Sequence, residues 1–110
     1  MINAASIATM KQGAMLVSTS RGTLVKTDDL VAALRSGKIS AAALDVTDPE
    51  PPDLQGVLVR LDNAIISSHV ASCSAQAVRK LRDSVVNTVG IALRGEPLLN
   101  IVNGVKPAGR

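Results

Sequence analysis

Four side chains of kinds that move protons or grip anions, Arg21, Asp45, Glu50 and His69, stand at or beyond the ends of short apolar runs in this 110-residue chain. Arg21 comes after Ala14-Met15-Leu16-Val17 and a Ser/Thr cluster, and His69 comes after Ala64-Ile65-Ile66-Ser67. Asp45 falls near the end of the run from Ile39 to Val46, and Glu50 lies in the loop beyond it. An imidazole changes charge close to working pH, and a carboxylate beside it favours the protonated form. A guanidinium stays charged and offers a planar fork that matches a carboxylate. Such residue types can do general acid/base chemistry and hold an anion. Taken singly, each residue also has a plain structural reading. His69 then serves as a hydrogen-bonded structural histidine, Arg21 as a turn residue beside Gly22, Glu50 as a loop charge among prolines, and Asp45 as a capped loop entry. Cys73, the single cysteine, reads as a small packing residue; it excludes an internal disulfide and suits a reducing compartment, with the cytoplasm as default. No His, Cys or carboxylate cluster has metal-ligand spacing, so no metal site is expected.

The elements that would position these residues alternate. Asn3 to Lys11 reads as a helix capped by Asn3 and ended at Gln12-Gly13. Residues 14–17, apolar and bounded by turn residues, have the look of a fully buried strand. Thr27, a good N-cap, and the acids Asp28 and Asp29 open a second helix, in which Leu30, Val31 and Leu34 repeat at helical spacing before Gly37 stops it. A second strand is expected over 39–46. Three prolines among residues 48–53 exclude regular structure there. Residues 64–67 form a third strand. The longest helix runs from about Ser74 to Arg94, with Val78, Leu81, Val85, Val89 and Ala92 along one face, and Gly95 ends it. Residues 97–102 read as apolar and extended. Helices alternating with strands imply an α/β fold on a parallel sheet. In such a sheet ligands bind beyond the carboxyl ends of the strands. Arg21, Glu50 and His69 each follow a separate strand, so the pattern brings them to one edge.

Composition narrows the function further. Hydrophobic residues make up 46% of the chain and charged ones 19%, a globular balance. Phe, Tyr and Trp are absent, so the core must be built from Ala, Val, Leu and Ile. The net charge of +3 is scattered without a basic stripe, and with no aromatic platform nucleic acid is not an expected partner. No apolar stretch approaches a membrane span, and a membrane partner is not expected either.

Three ordered segments carry a resemblance. Residues 16–25 (Leu-Val-Ser-Thr-Ser-Arg-Gly-Thr-Leu-Val) resemble the strand and Arg-Gly turn of the D-2-hydroxyacid dehydrogenases. Residues 42–51 (Ala-Ala-Leu-Asp-Val-Thr-Asp-Pro-Glu-Pro) are similar to that family's A-x-D-V-x-x-x-E-P segment, and His69-Val70-Ala71-Ser72 to its P-H-I-G/A segment. The flanks, from Ile2-Asn3-Ala4 to Pro97–Asn103, agree. Ser18 departs from a common Asn, Thr47 from a usual aromatic, and Ser68 from a Pro before the histidine. The resemblance implies a partial Rossmann-like parallel sheet with flanking helices, the second half of a dinucleotide-binding domain, over residues 1–104, with 105–110 a disordered tail. It implies an oxidoreductase acting on the CH–OH group of a D-2-hydroxy acid of the phosphoglycerate, glyoxylate or hydroxypyruvate type, in a homodimeric parent enzyme. The cofactor would be NAD, or NADP. His69 would be the general acid/base, Glu50 its hydrogen-bond partner and Arg21 the ligand of the substrate carboxylate. Thr19, Ser20, Arg21, Asp45, His69 and Ala71 would approach the cofactor. No G-x-G-x-x-G phosphate turn occurs in the sequence, so the chain is expected to act as a fragment, inactive alone. The alternatives of another class are an NADH-sensing corepressor-like binding protein of the same fold and an inactive fragment.

Overall fold

The computed structural model describes residues 1–104; the tail expected over 105–110 lies outside them. The chain divides into two compact units, Met1–Ala71 and the segment from Ser72 onward.

The first unit is a three-stranded parallel sheet, β1 (Ala14–Ser18), β2 (Ile39–Leu44) and β3 (Ala64–Ile66), in the order β1-β2-β3. Helices α1 (Ala4–Ala8) and α2 (Thr27–Arg35) supply Ile7, Leu30, Ala33 and Leu34 to a core shared with Ile39, Ala42 and Leu44 of β2. Leu30 and Ile39 are fully buried. Leu58, in a short 3-10 turn over Leu58–Arg60, closes the same core.

Several local choices explain the elements. Asn3 caps α1 through a reciprocal box with Ser6, its Oδ1 accepting from the Ser6 amide at 3.0 Å while Ser6 Oγ accepts from the Asn3 amide at 2.9 Å. Asp29 of α2 reaches across and accepts from the Ala4 amide at 2.7 Å, satisfying another of the free donors at that helix start. The helix ends at Ala8, earlier than the sequence pattern suggests. Gly37, at φ 73°, takes the left-handed step that stops α2. Thr27 does not cap α2: its hydroxyl donates to the Asp48 carbonyl at 3.2 Å, and Lys26 holds the cap position without a side-chain bond. Ile2 adds a parallel bridge to Val25, tying the chain start to the approach to α2.

The β1–β2 register slips by one residue between Ala14 and Met15, and Ser40, the extra residue on β2, donates its hydroxyl to the Gly13 carbonyl at 2.7 Å. Beyond the slip the pairing is regular, so Ser18 lies opposite Leu44. The first strand is not buried on both faces. Met15 and Val17 are 77% and 72% exposed, as is Ile65 of β3 at 72%, so one face of the sheet is open and apolar. Within this unit α1 and α2 cover only the other face.

The second unit contains α3 (Ala75–Leu93), capped by Ser74, whose Oγ accepts from the Ala77 amide at 3.1 Å. None of its residues is buried. Gly95 (φ 71°) follows its end. The segment expected to be extended is irregular, with a bend at Leu99-Asn100. No described helix is long and apolar enough to cross a membrane.

Candidate active site

Because all three strands are parallel, their carboxyl ends share one edge, and the loops leaving them carry the polar residues. At this edge the His69 Nδ1 lies 2.6 Å from Glu50 Oε1. Both side chains are about half exposed, open to solvent and to a ligand. With Glu50 ionised its oxygen can only accept, so in the neutral ring Nδ1 carries the proton and Nε2 keeps its lone pair. Asp45, Thr47, Glu50, Pro51, Pro52, Ser67, Ser68 and His69 line a cavity of about 300 Å³.

Asp45 is the first residue past β2 and is only 6% exposed. Its Oδ1 accepts from the Ser67 hydroxyl at 2.5 Å and the Val70 amide at 2.9 Å, and its Oδ2 accepts from the Ala71 amide at 2.9 Å. Its main chain joins both neighbouring strands' loops. The Asp45 amide donates to the Ser18 carbonyl at 2.9 Å, and its carbonyl accepts from the His69 amide at 3.0 Å. The Ser67 hydroxyl and the Ala71 amide hold the carboxyl below the ordinary aspartate range; burial opposes them, while the Val70 amide and the nearby His69 charge add to the lowering. Asp45 and Ala71, both expected to approach a cofactor, are thus bonded to each other.

Arg21 lies three residues past β1, exposed, with its Nη1 donating to the Ser20 carbonyl at 2.7 Å. Thr19 and Ser20 precede it, also exposed, and the Ser20 hydroxyl lies 3.3 Å from that of Ser18. These three residues share the sheet edge with His69 and Glu50 but do not line the 300 Å³ cavity. Gly22 joins the two loops. It is buried, and a Cβ placed on it would sit 1.9 Å from the Thr47 carbonyl oxygen. The Thr47 hydroxyl in turn donates to the Pro49 carbonyl at 2.8 Å, bracing the turn that presents Glu50. Sequence reasoning gave no site role to Ser67 or Thr47 and no reason for Gly22. For Ser67 the available signal was a hydroxyl at a strand end, two residues before the histidine.

The family model for the NAD-binding domain of D-isomer specific 2-hydroxyacid dehydrogenases matches residues 1–71, well over half of the chain. The chain belongs to the D-isomer-specific 2-hydroxyacid dehydrogenase family. Among its relatives, a hydroxypyruvate reductase of Blautia hydrogenotrophica is 39% identical over 102 residues, covering 93% of the chain and 31% of the relative. The human glyoxylate reductase/hydroxypyruvate reductase is 42% identical over 89 residues, which is 81% of the chain and 27% of the human protein. The crystal structure of a glyoxylate reductase from Paecilomyes thermophila superposes with a TM-score of 0.85 at 32% identity, covering 96% of the chain and 32% of that structure. A family member from Xanthobacter autotrophicus, solved with NADPH and MES, gives 0.81 at 35% identity, over 93% of the chain and 41% of its own. The chain spans about a third of the length of the curated relatives it matches. The matched residues stop at Ala71, where the first compact unit also stops.

Proposed function

We propose that this chain supplies the proton-transferring edge of an NAD(P)-dependent oxidoreductase acting on the CH–OH group of a small D-2-hydroxy acid. The observation that carries the reading is the 2.6 Å bond between Glu50 and His69 at the carboxyl edge of the parallel sheet. A cavity of about 300 Å³ bordered by Glu50 and His69, with Pro51 and Pro52 in its lining, suits the nicotinamide end. The glycine-rich turn that would receive a pyrophosphate is not among the 110 residues. When bound, the nicotinamide would supply hydride acceptance.

The chain's own residues account for the rest. In the oxidative direction the Nε2 lone pair of His69 takes the proton of the substrate hydroxyl. Glu50, accepting at Nδ1, fixes the ring's tautomer and stabilises the imidazolium that forms. In the reductive direction the same Nε2–H returns its proton to the carbonyl oxygen. Arg21, at the same edge, offers a planar fork that fits the substrate carboxylate, with Nη1 now donating to the Ser20 carbonyl. The reading extends to a cytoplasmic homodimer; the single unpaired cysteine supports the compartment, and the resemblance alone supports the assembly.

The test is a chimera in which this chain replaces the matching third of a hydroxypyruvate reductase relative. The chimera is expected to oxidise a 2-hydroxy acid, and His69→Ala to lower turnover by about a hundred- to ten-thousand-fold with NADH affinity little changed. A folded, NADH-binding chimera whose turnover survives His69→Ala would refute the assignment.

A further inference from the structure

We propose that Asp45 is a positioning residue for His69: it holds residues 67–71 in the conformation that sets the imidazole against Glu50. The functional meaning rests on reading His69 as the proton-transferring group, but the geometry stands apart from it. His69 has φ 57°, a left-handed conformation that side-chain-bearing residues rarely adopt. Something outside the residue must hold it there. The Glu50–His69 bond cannot do so by itself, because both partners are about half exposed and water competes for each.

Asp45 is the group placed to hold it. Two consecutive amides, Val70 and Ala71, turn inward just after the left-handed step and converge on the carboxylate oxygens at 2.9 Å each. That is how a run of main-chain donors grips an anion, except that here the anion is a side chain of the same protein. The Ser67 hydroxyl binds the carboxylate from before the histidine, and the Asp45 carbonyl accepts from the His69 amide itself. Bonds to residues 67, 69, 70 and 71 thus bracket the imidazole on both sides. Asp45 is 6% exposed and follows the buried Leu44. A buried charge of this kind demands those donors, so the loop and the carboxylate fix each other.

The test uses the full 110-residue chain and reads the ring rather than turnover. Nitrogen-15 NMR of the imidazole separates the Nδ1–H from the Nε2–H tautomer, and amide hydrogen exchange reports on Val70 and Ala71. In its neutral form the wild-type ring should be protonated mostly at Nδ1. Asp45→Asn cannot accept all three bonds, because one of its atoms becomes a donor. It should invert the tautomer ratio and release the Val70 and Ala71 amides. Glu50→Ala should also lose the Nδ1–H preference yet leave those amides protected, separating the holder from the partner. An Asp45→Asn chain that stays folded with the wild-type tautomer ratio overturns the proposal. If that variant loses exchange protection at Leu30 and Leu34, and so has unfolded, Ser67→Ala decides: a partial shift supports the role and an unchanged ratio overturns it. A tautomer shift in Asp45→Asn alongside a harmless His69→Ala in the chimera would keep the positioning role and remove the dehydrogenase reading.

Discussion

Replacing Gly22 with alanine is expected to push apart the two loops that carry Arg21 and Glu50. The added Cβ would meet the Thr47 carbonyl oxygen at 1.9 Å, the Thr47 carbonyl carbon at 2.1 Å and the Asp48 nitrogen at 2.7 Å. Real Cβ atoms essentially never approach closer than 3.0 Å, so the backbones must separate by at least 1.1 Å, the gap between 1.9 and 3.0 Å. All three obstacles are main-chain atoms, which cannot swing aside as a side-chain tip can. Overpacking of this order destabilises by about 1–3 kcal/mol, and displacement should also reach the Pro49 carbonyl that Thr47 binds. Urea unfolding gives the stability change, and amide chemical shifts at Thr47 and Asp48 report the displacement. Gly37→Ala is the control. Gly37 sits at φ 73° with nothing within 4 Å of its would-be Cβ, so its loss should cost about 1–2 kcal/mol through backbone strain and leave Thr47 undisturbed. An unchanged urea midpoint in Gly22→Ala, with Thr47 and Asp48 resonances in place, would refute the spacing argument.

Further outcomes follow from the same contacts. The Asp45 carboxyl titrates below its ordinary 3.8 in the folded state, so the unfolded chain binds more protons through that window. Its contribution to stability is fully present above 3.8 and is lost as pH falls through the lowered folded value; urea midpoints measured down that range should drop in the wild type and drop less in Asp45→Asn. Leu30→Ala, at a fully buried position, should destabilise the first unit by about 2–5 kcal/mol in the same unfolding assay. Ser74→Ala should lower the helicity of α3, at a cost of about 0.5–2 kcal/mol, while exchange protection at Leu30 stays unchanged.

Strand positions were legible in the sequence because turn residues bracket each apolar run and no competing periodicity intrudes. Parallel pairing followed from alternation with helices, and with it the shared edge for Arg21, Glu50 and His69. What escaped was set by contacts distant in sequence. Thr27 has the chemistry of a cap, but the Asp48 carbonyl, 21 residues away, takes its hydroxyl. The turn over Leu58–Arg60 has no periodic signature and exists because Leu58 completes a core begun by α2 and β2. Asp45 looked like a loop entry or a cofactor contact. Nothing in its neighbours announces that its donors arrive from residues 67, 70 and 71. Apolar runs also could not show that one face of the sheet is bare, since an open apolar face and a covered one read alike.

The slipped residue at the base of β2 bears on how this chain can change over time. Ser40 absorbs one extra residue at the amino-terminal edge, and pairing from Met15 onward is regular. Length differences entering at Gly13 or Lys38 can therefore be taken up before the strands commit to their register. The opposite edge has no such slack. Asp45 is bonded to Ser18 on one side and to the His69 loop on the other, so a residue gained or lost after Ala42 would misalign both at once, and one after Leu16 would misalign the Ser18 side. Insertions should accumulate at one end of this sheet and be purged from the other.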